Sequence, residues 1–206
     1  MPDTRERILA AAEAVIREYG LLNTTTKLIA KAAGCSEALL YKHYKDKNEI
    51  VLAVMAGRAS GFSTQTADLR NQIGQGDIEE RLTNLIASAV GFYRQGMPIG
   101  TALLSDPALL ARHRSLLAER NAGPRKPLIG LAGYLAAEQS LGRLAPDADP
   151  ETMAALLLGS AFQRAFFEAL MGDSPDDATP EESFRANEDF ARRAVRAVLK
   201  SDSGPR

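Results

Sequence analysis

Apolar residues recur along almost the whole chain at spacings of three and four, and no stretch alternates apolar with polar as a half-buried strand does. Ile8, Ala12, Val15, Ile16 and Tyr19 share one face of a helix from about Thr4 to Tyr19, which Gly20 can stop in a left-handed conformation. A short second helix follows the hydroxyls of Thr24, Thr25 and Thr26, any of which can cap it, and ends at Ala33-Gly34. Ser36 caps a third that reaches about His43. Asp46 caps a fourth, from Lys47 to about Ile73. Beyond Gly74-Gln75-Gly76, Asp77 starts a helix to about Gln95, Met97-Pro98 begins a short one, and Asp106-Pro107 begins another to about Asn121. Gly123-Pro124 introduces a helix that stops near Gly142. Asp149-Pro150-Glu151 opens a long helix to Gly172, with proline in the first turn, where its missing N–H does no harm. The acidic, proline-bearing segment 173–180 reads as a loop, the last helix runs from about Pro180 to Lys200, and 201–206 reads as a frayed tail.

The fold class is therefore all-α, and composition sharpens it. With 45% hydrophobic residues the chain can bury a real core, so disorder is excluded. Abundant Ala and Leu, with 6% aromatics and no Trp, favour helices, because unbranched side chains lose little rotamer freedom there. Met1-Pro2-Asp3 opens no charged-then-apolar signal segment, so a cytoplasmic protein is expected. The apolar run from Thr152 to Gly172 is interrupted by Gln163, Arg164 and Glu168, and reads as a buried bundle helix rather than a membrane span. One cysteine, Cys35, and two histidines, His43 and His113, cannot assemble a zinc site or a disulfide framework. No nucleophile-elbow pattern occurs either, so neither metal, cofactor nor catalytic group is expected.

The net charge of −1 hides an uneven distribution. Residues 1–60 carry 9 Lys/Arg against 7 Asp/Glu, and the excess is densest between Lys27 and Lys47. There Lys27, Lys31, Lys42, Lys45 and Lys47 face only Glu37 and Asp46. A small basic patch on an otherwise acidic chain suits a module that touches phosphates, although a solvated face would look the same. The same stretch holds a short helix, a tight glycine turn and a second short helix, the mechanical parts of a helix-turn-helix. Gly34 permits the positive φ of the turn, Cys35 points into the small core, and Leu40 and Tyr44, four apart, form the buried side of the second helix. Glu37, Ala38, Tyr41, Lys42 and His43 lie elsewhere around it, and several can face a groove.

Thr4-Arg5-Glu6-Arg7-Ile8-Leu9-Ala10-Ala11-Ala12, Tyr19-Gly20, Thr24-Thr25, Ile29 to Gly34, Ser36, Leu40-Tyr41-Lys42-His43-Tyr44 and Asp46-Lys47 closely resemble the TetR-family DNA-binding domain over residues 4–55. The resemblance implies an N-terminal three-helix helix-turn-helix domain, residues 1–50, and a helical ligand-binding and dimerisation domain, residues 51–206. It implies that Thr25, Tyr41, His43 and Lys47 touch phosphates and that Lys27, Glu37, Ala38 and Lys42 lie near base edges. Such roles suit the side chains: Lys42 can reach guanine O6 or N7, and Glu37 can accept from cytosine N4. The chain departs from the family pattern at Leu28, where an acidic or polar residue is usual, at Thr26, usually apolar, and at Glu37, often basic. Function follows as a ligand-responsive regulator, a repressor binding a palindromic double-stranded operator as a homodimer. The alternative is a helical small-molecule-binding protein or enzyme with a vestigial head.

Several side chains admit two readings. Tyr41 can contact DNA or pack at the edge of the small core, and His43 can meet a phosphate or cap its helix. His113, between Arg112 and Arg114, reads as a solvated residue. In the body, Phe62, Phe92, Met97, Phe162 and Phe166 can line an effector pocket or make an ordinary core, with Arg94, Gln163 and Arg164 the nearest polar groups. Gly159 on the long helix, with Phe184, Ala191, Val195 and Val198 on the last, can form a two-fold interface or pack internally.

Overall fold

A computed structural model describes residues 3–172 and 180–201. These residues form α1 (Thr4–Asn23), α2 (Thr26–Ala32), α3 (Glu37–His43), α4 (Lys47–Asp68), α5 (Ile78–Ser105), α6 (Pro107–Glu119), α7 (Arg125–Ser140), α8 (Pro150–Met171) and α9 (Pro180–Ser201). A short 3-10 turn, Leu69–Gln72, follows α4, and no strand occurs among the described residues. The all-α expectation holds. The loop expected at 173–180 lies almost wholly outside the described residues, as does the tail after Ser201.

Helix starts are set by the caps that the sequence offers. Thr25 Oγ1 accepts from the Leu28 N–H (3.2 Å), Ser36 Oγ from that of Leu39 (3.1 Å), and Asp46 Oδ1 from that of Glu49 (2.7 Å). Asp77, Asp106 and Asp149 do the same for α5, α6 and α8. Each satisfies N–H groups that have no partner within the helix. Gly20, at φ 74° and ψ 160°, breaks the helical run as expected, but Leu21–Asn23 resume it for one more turn. The break expected before Met97-Pro98 is absent. Pro98 lies inside α5, which runs unbroken from Ile78 to Ser105. A proline there removes a helical N–H and costs about 3 kcal/mol. Burial of Ile86 and Val90 before it and of Ile99 and Leu103 after it offsets that cost.

Contacts divide the chain into two compact units, Met1–Ser60 with Gly96–Gly123, and Gly61–Gln95 with Pro124–Arg206. In the first, Ile8, Ile16, Ile29, Leu40, Tyr44 and Ile50 form the centre of a core that Ile99, Leu103 and Leu109 complete. Segment 96–123 thus packs with the N-terminal helices, whereas a division at residue 50 assigns it to the body. Asp46, the cap of α4, also pairs with Arg112 of α6 at 3.1 Å. Burial works against ionisation of Asp46, but the Glu49 N–H and the Arg112 guanidinium outweigh it and hold the carboxyl below its ordinary range.

In the second unit, Phe62, Leu82, Ile86, Leu131, Tyr134, Leu157, Ala161, Ala191 and Val195 share one core. Glu138 of α7 is fully buried there. Its carboxylate accepts from the Gly74 N–H (3.1 Å) and pairs with Arg143 (2.9 Å) and, more loosely, with Arg81 (3.9 Å). Arg81 donates to the Tyr134 hydroxyl (2.8 Å), to Gln72 Oε1 (2.6 Å) and to the Gln75 carbonyl (2.8 Å), and Arg143 donates to the Gly76 carbonyl. The Gly74-Gln75-Gly76 turn, with both glycines at positive φ, is thereby clamped from behind. Burial pushes the Tyr134 phenol up.

α8 corrects the expectation of a buried bundle helix. Met153, Ala154, Leu157, Leu158, Ala161 and Ala165 face the core, but Leu156, Phe162, Phe166, Phe167, Leu170 and Met171 are exposed on the other side. By length and composition α8 could cross a membrane. Its Glu168, however, is bound by Arg164 at 2.8 Å and by Arg94 of α5 at 3.6 Å, within the packed unit.

Two substitutions test these anchors. Glu138→Ala leaves Arg81 and Arg143 without their carboxylate and should destabilise the protein by about 3 kcal/mol in urea unfolding, as breaking a buried pair does. Asp46→Asn keeps the cap but loses the ion pair, so at neutral pH it should cost under about 1 kcal/mol, and Asp46→Ala about 1 kcal/mol more. A depressed carboxyl pKa stabilises the fold above the unfolded value, near 4, and that contribution is lost as pH falls through the folded value. The gap between wild type and Asp46→Asn should therefore close on acidification.

Candidate nucleic-acid interface

The turn between α2 and α3 fixes everything presented on α3. The Gly34 N–H bonds the Lys31 carbonyl (3.2 Å) and the Cys35 N–H that of Ala30 (3.0 Å), closing the end of α2. Gly34 sits at φ 63°; a side chain would find room there, so it is the backbone conformation that requires glycine. From α1, Arg7 Nη2 donates to the Ala33 carbonyl (2.6 Å) and to that of Gly34 (3.3 Å), satisfying the two turn carbonyls at once. Cys35 is half-buried against the small core, where the sequence placed it.

Leu40 and Tyr44 are the buried side of α3, as their spacing predicts. The Tyr44 hydroxyl accepts from Arg5 Nε at 3.2 Å, and the Arg5 guanidinium lies 5.4 Å from the ring centre. With that side anchored, Ala38, Tyr41, Lys42 and His43 are exposed on the outer face of α3, and Lys27 is exposed on α2. Thr25 already accepts the Leu28 N–H, so its own hydroxyl proton remains free to donate outward. Lys47 is half-buried, and its ammonium donates to the Leu21 carbonyl at 3.1 Å, leaving two N–H groups for a further acceptor. Asp46 is neutralised by Arg112, so the lysines around it dominate the local field.

Glu37 is held in a way that the sequence did not reveal. Thr26 Oγ1 donates to Glu37 Oε1 at 2.9 Å and lies 3.2 Å from the Tyr41 hydroxyl. The sequence offered Thr26 only as a capping hydroxyl, because a contact across eleven residues depends on the angle between two helices. The one available signal was that a hydroxyl and a carboxylate replace residues of other types at these two positions.

The residues expected in an effector pocket are only partly gathered. Phe62 and Phe92 stack at 4.6 Å, Tyr93 joins both, and Phe162 meets Tyr93 edge-on at 5.4 Å. Phe166 pairs with Phe167, both exposed, and Met97 belongs to the N-terminal unit rather than to this cluster. Arg94 and Arg164 pair with Glu168, and the Arg164 guanidinium lies over Phe190. A cavity of about 450 Å³ lies elsewhere on the same unit, lined by Leu69, Gln72, Asp77, Arg81, Asn84 and Ser88 among others, and by none of the expected aromatics. His113 is half-buried, not solvated, and burial lowers its pKa.

Of the residues expected at a two-fold interface, Ala191 and Val195 are fully buried within their own chain and have no surface left for a second copy. Val198 packs at the edge of the same core, Gly159 is exposed, and the side chain of Phe184 lies outside the described residues.

Residues 8–54 match the family model of bacterial regulatory proteins of the tetR family. A curated relative, the uncharacterized HTH-type transcriptional regulator YvkB of Bacillus subtilis (strain 168), is 38% identical over 106 residues, covering 52% of this chain and 46% of that protein. The match thus spans about half the length of the relative. Among solved structures, a TetR/AcrR-family transcriptional regulator from Thermobifida fusca superposes with a TM-score of 0.65 at 20% identity over 100% of both chains. SmeT, the repressor of the Stenotrophomonas maltophilia multidrug efflux pump SmeDEF, superposes with a TM-score of 0.65 at 21% identity over 95% of this chain and 89% of its own. At such identities the fold is what these structures share. Residues 8–54 thus match the helix-turn-helix domain of bacterial regulatory proteins of the tetR family, and the fold of the whole is the one these TetR-type structures share.

Proposed function

We propose that the protein is a cytoplasmic transcriptional regulator that binds a palindromic operator as a homodimer and is released by a small-molecule effector. The observation that carries this reading is α3, clamped at its turn by Arg7 and anchored by Leu40 and Tyr44, with Ala38, Tyr41, Lys42 and His43 exposed outside. An arrangement that holds a short basic helix rigidly and exposes its polar face suits a major groove. Residues 1–50 are read as the DNA-binding domain and 51–206 as the regulatory one. Thr25, Tyr41, His43 and Lys47 are assigned to phosphates, and Lys27, Glu37, Ala38 and Lys42 to base edges.

The exposed apolar face of α8, from Leu156 through Phe166 to Met171 around Gly159, supplies the surface for a second copy. The stacked aromatics Phe62, Phe92, Tyr93 and Phe162 favour an effector with substantial apolar surface.

Selection from a pool of random duplex DNA tests the reading, with enrichment of a palindrome expected. Failure to enrich any sequence would favour a helical ligand-binding protein or enzyme with a vestigial head. Lys42→Ala should relax preference at one base position by about 1–3 kcal/mol. Lys47→Ala should weaken binding evenly across sequences and flatten the salt dependence, and an unchanged salt slope would remove Lys47 from the phosphates. In sedimentation at micromolar concentration the wild type should be a dimer. Gly159→Leu should weaken both the dimer and operator binding, by about 1–3 kcal/mol for overpacking. A dimeric, DNA-competent Gly159→Leu variant would move the interface elsewhere.

A further inference from the structure

We propose that Thr26, Glu37 and Tyr41 act as one preset acceptor unit that reads a base amino group, so that each half-site is restricted to cytosine or adenine at one position. Thr26 is then a specificity-determining residue although it lies on α2, off the reading helix. The inference rests on the operator-binding reading above and names what part of that surface selects.

The direction of the hydrogen bonds follows from donor chemistry. A carboxylate accepts and does not donate, so the 2.9 Å contact uses the Thr26 proton and ends on Glu37 Oε1. Thr26 has only that proton. The Tyr41 hydroxyl, 3.2 Å from the same oxygen, must therefore donate to it. The chain runs Tyr41 O–H to Thr26 Oγ1, then Thr26 O–H to Glu37 Oε1, and both hydroxyl protons are consumed inside it. What remains to meet a partner is acceptor only: Glu37 Oε2, which has no hydrogen bond among the described residues, and the lone pairs of the Tyr41 phenol oxygen.

Placement makes the unit a reading surface. Glu37 and Tyr41 are one turn apart on α3 and flank the seam of the buried Leu40 and Tyr44, where Glu37 is half-buried and Tyr41 half exposed toward the outer face. In the major groove only cytosine N4 and adenine N6 donate, whereas guanine offers O6 and N7 and thymine offers O4. Guanine or thymine at this position would set acceptor against acceptor, and a phosphate oxygen would do the same. The unit therefore selects by repulsion as well as attraction, and it revises the assignment of Tyr41 from phosphate to base. Thr26 also fixes a Glu side chain that would otherwise lose its rotamer freedom on binding, so the discrimination is built in before DNA arrives. The two positions concerned, Thr26 and Glu37, are two of the three at which the chain departs from the pattern of the family it resembles. They are bonded to each other. A valine at 26 could not hold the carboxylate, and a lysine at 37 could not accept from the threonine.

The test is selection from random duplexes with the full-length wild type and Thr26→Val, Glu37→Gln and Tyr41→Phe variants. Anisotropy titrations on operators carrying each of the four bases at the selected position follow. Wild-type sites should hold cytosine or adenine at one symmetry-related position. Thr26→Val keeps the branched shape and the Thr25 cap, and should reduce discrimination there by roughly tenfold while leaving other positions unchanged. Glu37→Gln keeps the size of the side chain and an oxygen that can accept from Thr26, but carries donors as well and should admit guanine or thymine. A palindrome without that cytosine or adenine, or one whose preference survives both Thr26→Val and Glu37→Gln, would overturn this inference while leaving operator binding intact. An equal loss on every sequence with a flatter salt slope for Tyr41→Phe would return Tyr41 to a phosphate and break the unit. If the wild type enriches no sequence, the operator-binding reading fails first and takes this inference with it.

Discussion

Two backbone carbonyls at the end of α2 and one guanidinium from α1 carry most of the architecture of the N-terminal unit. A tight turn between two short helices leaves polar backbone groups that neither helix can satisfy. Arg7 reaches across to the carbonyls of Ala33 and Gly34, and Gly34 takes the positive φ that lets the chain reverse within so few residues. Once the turn is fixed, the direction of α3 is fixed, because Ser36 caps its first turn and Leu40 and Tyr44 seat it on the core. Only then does it matter which side chains occupy the outer face. A helix of seven residues holds no conformation by itself, so the reading surface is a product of its attachments.

The second unit solves a comparable problem with buried charge. Glu138 is placed where water cannot reach it, and it is tolerable there because two arginines and a backbone N–H converge on it. Those arginines in turn bind the carbonyls of the glycine turn before α5. Removing one partner is costly in such a network, even where the intact network adds little net stability. The same unit leaves a row of large apolar side chains exposed along α8, from Leu156 to Met171, well beyond the scattered apolar exposure of an ordinary surface.

Chemically the reading face is mixed. Lysines 27 and 42 offer donors suited to guanine edges and phosphates, while the chain from Tyr41 through Thr26 to Glu37 offers acceptors. A formal net charge of −1 leaves little non-specific attraction to DNA, so placement of a few donors and acceptors has to supply selectivity.

Much of this was legible in the sequence, and the reason is local. Helix starts follow from Thr25, Ser36, Asp46, Asp77, Asp106 and Asp149, whose side chains act within three residues of themselves, and helix faces follow from apolar spacing. The turn at Gly34 and the buried pair Leu40 and Tyr44 were set in the same way. The sequence misjudged Pro98, because local propensity argues for a break while burial on both sides of the proline favours a continuous helix. It left Ala191 and Val195 open between a two-fold interface and internal packing, because periodicity shows that a face is apolar but not what covers it; their own chain covers them. The clamp on the turn, the pairing of Thr26 with Glu37 and the burial of Glu138 join residues 11 to 64 positions apart. Such contacts depend on the angles between helices, which packing sets and no local pattern encodes. The sequence determined which segments are helices and which residues a reading helix would offer; the tertiary structure alone decided which of those atoms still have a free proton or lone pair.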